Sequence, residues 1–353
     1  MAVQFFPTLP ASKLAKLHCY RKRVGKFVKI CYFRLANQAK MISGYPGVHT
    51  RIIITTEETI MAKIGFIGLG TMGCPMAERL IKAGHELRIT RVKDASRYLV
   101  DLGATACETP AEVTQGSEIV ILIVPDTPDV DSVLFGDRGV ASTLGSGAIL
   151  VDMSSISPLA TKEFASKINA LGAQYVDAPV SGGETGAREG TLSIMVGGTR
   201  DAVASVRPVL EAMGKNITHV GDIGAGQTVK VANQIVVGLT IQAVSEAFLL
   251  AKKAGVDLQV ARDAMLGGFA QSRILELHGQ RMIDETFDPG FKIALHRKDL
   301  NIALTNAGQL NVALPNTAGV VQIMNAAIAQ GEGQSDHSAL FRVLGAISGS
   351  DSE

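Results

Sequence analysis

Met61 is followed by Ala-Lys-Ile-Gly-Phe-Ile, a short apolar run, and then by Gly68-Leu69-Gly70-Thr71-Met72-Gly73. After these glycines Met76, Leu80 and Ile81 recur at helical spacing, so the pattern changes from strand to helix across a G-x-G-x-x-G turn. Each glycine then has its own reason. Gly68 permits a tight turn, Gly70 lets backbone approach a pyrophosphate, and Gly73 allows the helix to pack closely on the strand. Free N–H groups at the helix N-terminus are left to hold phosphates. A turn that merely joins strand to helix is the plain alternative. The flanking strand and helix favour a dinucleotide held by Gly68, Leu69, Gly70, Thr71, Met72 and Gly73.

Strand and helix keep alternating downstream. The run 86–90 reads as a second strand ending at Thr90-Arg91, about 20 residues past the glycines, where an acid would grip the ribose of NAD. Arg91 instead offers a guanidinium suited to a 2′-phosphate, which leans toward NADP, while Asp94 leaves NAD open. The run 119–124 is stopped by Pro125-Asp126-Thr127-Pro128, and 148–151 by Asp152-Met153-Ser154-Ser155. Such units build a parallel sheet whose C-terminal edge faces the cofactor, with Pro125 and Ser155 on that edge. Ser157, just before Pro158, reads as a helix cap. Val176-Asp177-Ala178-Pro179-Val180 then leads into Ser181-Gly182-Gly183, whose backbone N–H groups can turn toward an anion such as a substrate carboxylate. A further strand is expected over 191–197.

Past Gly221-Asp222-Ile223-Gly224-Ala225-Gly226 the pattern becomes almost wholly helical: 227–254, 258–266, 272–281, 292–307, 316–330 and 337–344, punctuated by Gly255, Gly267, Gly290, Gly308 and Gly331. The expected fold is therefore an α/β Rossmann-type doubly wound domain over 61–224, followed by an all-α domain over 225–350. Lys230 opens the long helix, with Asn233 and Gln234 at i+3 and i+4 on the same face. By periodicity alone this polar trio reads as a solvated stripe rather than a site.

Charge separates residues 1–60 from the rest. They hold ten of the 34 basic residues and two of the 33 acidic ones, leaving 24 against 31 and a net −7 for the remainder. That remainder has no charge reason to seek nucleic acid or acidic membranes. The basic leader could be an organelle transit peptide or a nucleic-acid arm. The favoured reading is a segment that is disordered or no part of the functional unit, because Met61 would serve as a natural start. The longest apolar run, 235–251, is interrupted by Gln242, Ser245 and Glu246, so no membrane span is expected. Cys19, Cys31, Cys74 and Cys107 form no C-x-x-C pair. Neither a metal site nor a disulfide framework is expected, and a reducing compartment, the cytoplasm, fits. Long apolar helices with few charges point to a homodimer or homotetramer built through the C-terminal half.

Taken in order, the segments Gly65-Phe-Ile-Gly-Leu-Gly-Thr-Met-Gly, Asp152-Met-Ser-Ser, Asp177-Ala-Pro-Val-Ser-Gly-Gly, Gly221-Asp-Ile-Gly-Ala-Gly-Gln-Thr-Val-Lys-Val-Ala-Asn-Gln and Gly290-Phe-Lys-Ile-Ala-Leu-His-Arg-Lys-Asp-Leu resemble the β-hydroxyacid dehydrogenases, the 3-hydroxyisobutyrate dehydrogenase family. Within it they look nearest to the branch that reduces tartronate semialdehyde to D-glycerate. The resemblance runs from Met61 to about Gly345. It implies an NAD(P)-dependent oxidoreductase with a small carboxylate substrate, Lys230 as catalytic lysine, and Ser181, Gly182 and Gly183 as substrate loop. It also implies Ser155 near the nicotinamide and Lys298 reaching the cofactor from the helical domain. Two positions depart from the family pattern. Gln234 stands where many relatives have Asn, so Asn233 and Gln234 are both candidate substrate contacts, and Thr90 replaces an Asn before Arg91. A 3-hydroxyisobutyrate-type oxidation and a catalytically silent dinucleotide-binding module are the alternatives. A pure binder has no need to keep Lys230 together with the Ser-Gly-Gly loop.

Overall fold

A computed structural model describes residues 61–349 and, in the leader, the backbone of β1 (Leu17–Val24), β2 (Val28–Leu35) and β3 (Ile53–Thr55). Those three strands form an antiparallel sheet in the order β1-β2-β3. Val28, Ile30, Tyr32 and Phe33 in β2 are of the β-favouring kind. The rest of the leader, and the expectation attached to it, lies outside the described residues.

Residues 61–353 form a separate compact unit. Its first half alternates β4 (Lys63–Ile67), α1 (Gly73–Lys82), β5 (Glu86–Thr90), α2 (Tyr98–Asp101), β6 (Thr105–Cys107), α3 (Pro110–Thr114), β7 (Ile119–Leu122), α4 (Thr127–Phe135), β8 (Ile149–Asp152), α5 (Pro158–Ala170) and β9 (Gln174–Asp177). These strands pair in parallel in the order β9-β8-β7-β4-β5-β6. The chain leaves β4 toward one edge and β7 toward the other. Neighbouring strands whose connections diverge in this way open a crevice at their C-terminal ends, the dinucleotide position of doubly wound sheets. β7 and β8 are buried at every residue, as sheet covered on both faces requires.

The sheet is extended by β10 (Val180–Ser181), α6 (Gly183–Glu189), β11 (Leu192–Gly197), α7 (Arg200–Glu211) and β12 (Gly214–Gly221), with β11 running antiparallel to β9. Ser157 sits at the start of α5, but its side chain caps nothing. Pro158, which has no N–H to satisfy, opens the helix, and Thr161 Oγ1 donates back to the Ser157 carbonyl at 3.0 Å.

From Ala225 the chain is helical: α8 (Ala225–Lys253), α9 (Leu258–Leu266), α10 (Arg273–Ile283), α11 (Ile293–Leu310), α12 (Pro315–Ala329) and α13 (Leu340–Ile347). α8 is central, packing against α10, α11, α12, α13 and, at its start, β11. Its 29 residues would suffice to cross a bilayer by length and composition alone, but α8 is the helix against which the other helices pack. Ile241, Phe248, Leu275, Leu300, Met324 and Leu340 lie in the core that closes around it.

Candidate active site

The glycine turn joins β4 to α1 at the divergence point of the sheet. Gly68 has φ +111°, and a Cβ there would fall 2.0 Å from the Ile123 carbonyl oxygen on the neighbouring β7 connection. A Cβ on Gly73 would fall 1.7 Å from the Gly68 carbonyl oxygen. At Gly70, which is exposed, a Cβ would meet no heavy atom within 4 Å. The turn is thus tight on its inner side and open on its outer side, a cradle that suits a pyrophosphate drawn against backbone. At the end of β5, Arg91 is exposed at φ +54°, and Thr90 Oγ1 is buried without a hydrogen-bond partner. Arg91, Thr109 and Arg138 line a cleft of about 270 Å³ beside them.

Lys298, on α11, crosses to the sheet. Its Nζ donates to the Pro125 carbonyl at 2.8 Å and to the Ser155 carbonyl, and lies 3.0 Å from Asp299 Oδ1 in an ion pair without hydrogen-bond geometry. Pro125 and Ser155, singled out separately in the sequence, meet at this ammonium.

The first turn of α8 is fastened to the sheet by Asp177, the buried last residue of β9. Its Oδ1 accepts the N–H of Gly224 at 2.8 Å and its Oδ2 the N–H of Gln227 at 2.9 Å, placing negative charge on a helix N-terminus. Gln227 in turn accepts the N–H of Ile156 and donates to the Ser154 carbonyl at 2.7 Å. Lys230, one turn on, is therefore carried to the edge of the sheet. Periodicity suggested a solvated lysine, yet Lys230 is only 7% exposed, because the face that looks polar in isolation is covered by the other half of the unit and by α11. Burial pulls its ammonium down to about 8, with Asp299 acting to raise it and Lys298 to lower it further.

Lys230 Nζ donates to Gln234 Oε1 at 3.0 Å, Asn233 Nδ2 reaches the same oxygen at 2.9 Å, and Gln234 Nε2 donates to Asp299 Oδ2 at 2.7 Å. A carboxylate only accepts, so the Gln234 amide has one workable orientation, oxygen toward the lysine. Ser181 and Gly183 are half-buried and Gly182 exposed, four to six residues beyond Asp177. Among the described residues no hydrogen bond joins them to Lys230; Asp177, at the end of β9 just ahead of them in the chain, is bonded to the start of α8. Three residues were missed from sequence. Asp299 adjoins Lys298 in the Lys-Asp-Leu segment, which was the available signal. Asp177 and Gln227 stand inside quoted motifs whose long-range bonds no local pattern displays.

Residues 63–221 match the family described as the NAD binding domain of 6-phosphogluconate dehydrogenase. Residues 224–344 match the NAD-binding family of NADP-dependent 3-hydroxyisobutyrate dehydrogenase. The chain is 57% identical over 282 residues to 2-hydroxy-3-oxopropionate reductase of Escherichia coli, covering 80% of this chain and 97% of that protein. The chain belongs to the 3-hydroxyisobutyrate dehydrogenase family. It is an NAD(P)-dependent oxidoreductase acting on CH–OH groups. Among solved structures, 3-hydroxyisobutyrate dehydrogenase of Mycobacterium tuberculosis with L-serine has a TM-score of 0.75 at 31% identity, over 81% of this chain and 99% of that one. Psf3 in complex with NADP+ and 2-OPP has a TM-score of 0.73 at 26% identity, over 80% and 99%. This dehydrogenase has the open cradle at Gly70 that its cofactor requires.

Proposed function

We propose that this protein reduces 2-hydroxy-3-oxopropionate (tartronate semialdehyde) to D-glycerate, with Lys230 as the proton donor. The observation that carries the reading is a buried lysine held at about 8 by its surroundings, aimed by Gln234 and Asp299. The identity to the Escherichia coli reductase supports the choice of substrate.

When bound in the cleft, reduced nicotinamide supplies the hydride. The Gly68–Gly73 turn would hold the pyrophosphate and Arg91 a 2′-phosphate, with Pro125, Ser155 and Lys298 around the nicotinamide. The protein's part is to place the aldehyde and manage its charge. Ser181 and the N–H groups of Gly182 and Gly183 hold the substrate carboxylate, and Asn233 and Gln234 face the substrate beside Lys230. Negative charge develops on the carbonyl oxygen during reduction, and the Lys230 ammonium hydrogen-bonds it and then transfers a proton. In the oxidative direction the neutral amine takes that proton back.

Turnover followed at the nicotinamide absorbance band, with NADPH and NADH in parallel, tests the assignment. Lys230→Ala should lower kcat about a thousandfold while cofactor affinity, read by nicotinamide fluorescence, stays within about twofold. Near-normal turnover in that variant removes Lys230 from the chemistry. The likeness to the Mycobacterium tuberculosis enzyme favours oxidation of 3-hydroxyisobutyrate as the second reading, and steady-state comparison of the two substrates separates them. We place the enzyme in the cytoplasm as a homodimer or homotetramer. Val236, Leu250, Val260 and Phe269 are exposed on the helical half and would be covered by a second copy, which sedimentation would detect.

A further inference from the structure

Three histidines from three separate elements lie in a row behind Gln234. His296 on α11 is fully buried, and its Nε2 lies 3.0 Å from the main-chain carbonyl of Gln234. His296 Nδ1 lies 2.9 Å from His337 Nδ1, and His337 Nε2 lies 3.3 Å from His278 Nε2 on α10. The far nitrogen of His278, Nδ1, is buried without a hydrogen-bond partner and faces Asp336 Oδ1 at 3.6 Å.

We propose that His296, locked in one tautomer by this relay through His337 to His278, is a positioning residue of the reaction: it holds the backbone of Gln234 so that the Gln234 side chain aims Lys230. The inference rests on the reading of Lys230 as proton donor.

Hydrogen-bond accounting gives the relay a single polarity. A carbonyl only accepts, so His296 must carry its proton on Nε2. Burial holds His296 below the ordinary histidine value and His337 well below it, so both rings are neutral. His296 Nδ1 is then a bare acceptor, and His337 must donate to it from Nδ1. His337 Nε2 is in turn an acceptor, and His278 donates from Nε2. Alone in a buried pocket, His296 could take the opposite tautomer and turn a lone pair toward the Gln234 carbonyl. The Gln234 carbonyl, which only accepts, opposes that at one nitrogen, and a His337 proton on Nδ1 answers the His296 lone pair at the other.

The helix makes room for this contact at a cost. Gly238 lies inside the 29-residue α8, where glycine is less favourable than alanine. A Cβ at Gly238 would stand 3.3 Å from both Cε1 and Nε2 of His296. Glycine therefore lets the imidazole reach the backbone. His296 and Asp299, three residues apart on one face of α11, grip the same residue, one at its carbonyl and the other at its amide.

The His278, Asp336 and His337 ligand atoms lie within 4.8 Å of one another, a spacing that could also hold a cation. The charges already present oppose it. Asp336 Oδ2 accepts the N–H groups of Gly290 and Phe291 and stands 3.1 Å from Arg281, while Oδ1 accepts Ser338. His337 Nδ1 is committed to His296.

The test combines nitrogen-15 histidine spectra of the full chain with kinetics of His296→Leu, His296→Gln and Lys230→Ala. The native spectra should show His296 protonated on Nε2 alone and His337 on Nδ1 alone. His296→Leu should lower kcat about ten- to a hundredfold with KM for the aldehyde within about twofold, since small misplacements at a reacting centre cost that much. His296→Gln keeps a donor where Nε2 stands and should recover most of the loss, which a purely structural role would not require. The opposite tautomer at His296, or equal loss in the Leu and Gln variants, overturns the proposal, as does a shift of the His278 and His337 signals on chelation, which would assign a metal site. If the Leu variant does not fold, the native spectra and the Gln variant decide. An inactive Lys230→Ala with the wrong His296 tautomer sinks only this inference, whereas an active Lys230→Ala sinks the lysine reading and this inference with it.

Discussion

Asp177 and Gln227 are joined by a 2.9 Å hydrogen bond from the Gln227 N–H to the Asp177 carboxylate, across 50 residues of chain and from the end of β9 to the first turn of α8. Burial raises the Asp177 carboxyl, and the N–H groups of Gly224 and Gln227 work to lower it. Removing the carboxylate leaves both donors buried and unpaired, at about 2–4 kcal/mol. Asp177→Ala should lower the melting temperature by roughly 3–7 °C, and Asp177→Asn, which keeps one acceptor, by about half as much. Calorimetry of the three proteins checks this, and an unchanged Asp177→Ala would show that α8 is seated by something else.

The pH dependence of turnover follows from Lys230. Reduction needs the ammonium, so with Lys230 at about 8 its rate should be level on the acid side and fall about tenfold per pH unit above that value. Oxidation needs the free amine and should rise through the same region. Asp299 raises the lysine, so Asp299→Asn should move both limbs toward lower pH. Rate profiles in both directions, collected on the wild type and the variant, would contradict the assignment if the limbs moved the other way.

Lys298 acts on the same group with the opposite sign. It lowers Lys230 and also crosses to the carbonyls of Pro125 and Ser155. Lys298→Met should move the limbs toward higher pH and weaken nicotinamide cofactor binding several-fold by freeing those carbonyls. Fluorescence titration gives the second effect independently of turnover. A variant with unchanged cofactor affinity and an unchanged profile would leave Lys298 without either role.

What the sequence disclosed was what local spacing can carry. The glycine turn at Gly68–Gly73, the strand ends at Thr90 and Asp152, and the glycines that punctuate the helices are all written within a few residues of each other. The burial of Lys230 was not, because the surfaces that cover it come from another sheet edge and another helix. Resemblance rather than periodicity pointed to that lysine. Asp299 was readable only as the neighbour of Lys298. The row His278, His296 and His337 spans 59 residues and three elements, so no window of sequence shows it.

Acid stability is expected to depend on Asp336. Burial alone would raise its carboxyl, but His278, His337, Ser338 and the N–H of Phe291 hold it well below the ordinary value. A depressed folded-state value stabilises the protein above the unfolded value, about 3.9, and the contribution is lost as pH falls below it. Asp336→Asn should therefore melt lower than wild type at neutral pH and lose less between about pH 4 and 2. Parallel melting curves that stay equally spaced over that range would show that Asp336 is not the group being titrated.

Arg91 separates cofactor choice from backbone strain. It holds φ +54° at the end of β5, a conformation that costs a non-glycine residue about 1 kcal/mol, and its guanidinium is exposed beside the cleft shared with Thr109 and Arg138. A guanidinium kept in that place suits the 2′-phosphate of NADPH, where a charge-assisted contact contributes about 1.5–3 kcal/mol. Arg91→Ala should raise KM for NADPH about ten- to a hundredfold and leave KM for NADH within about twofold. Arg91→Gly should do the same while melting no lower than wild type, since glycine adopts the left-handed conformation freely. If both variants lost NADH and NADPH equally, Arg91 would be shaping the turn and not reading the phosphate.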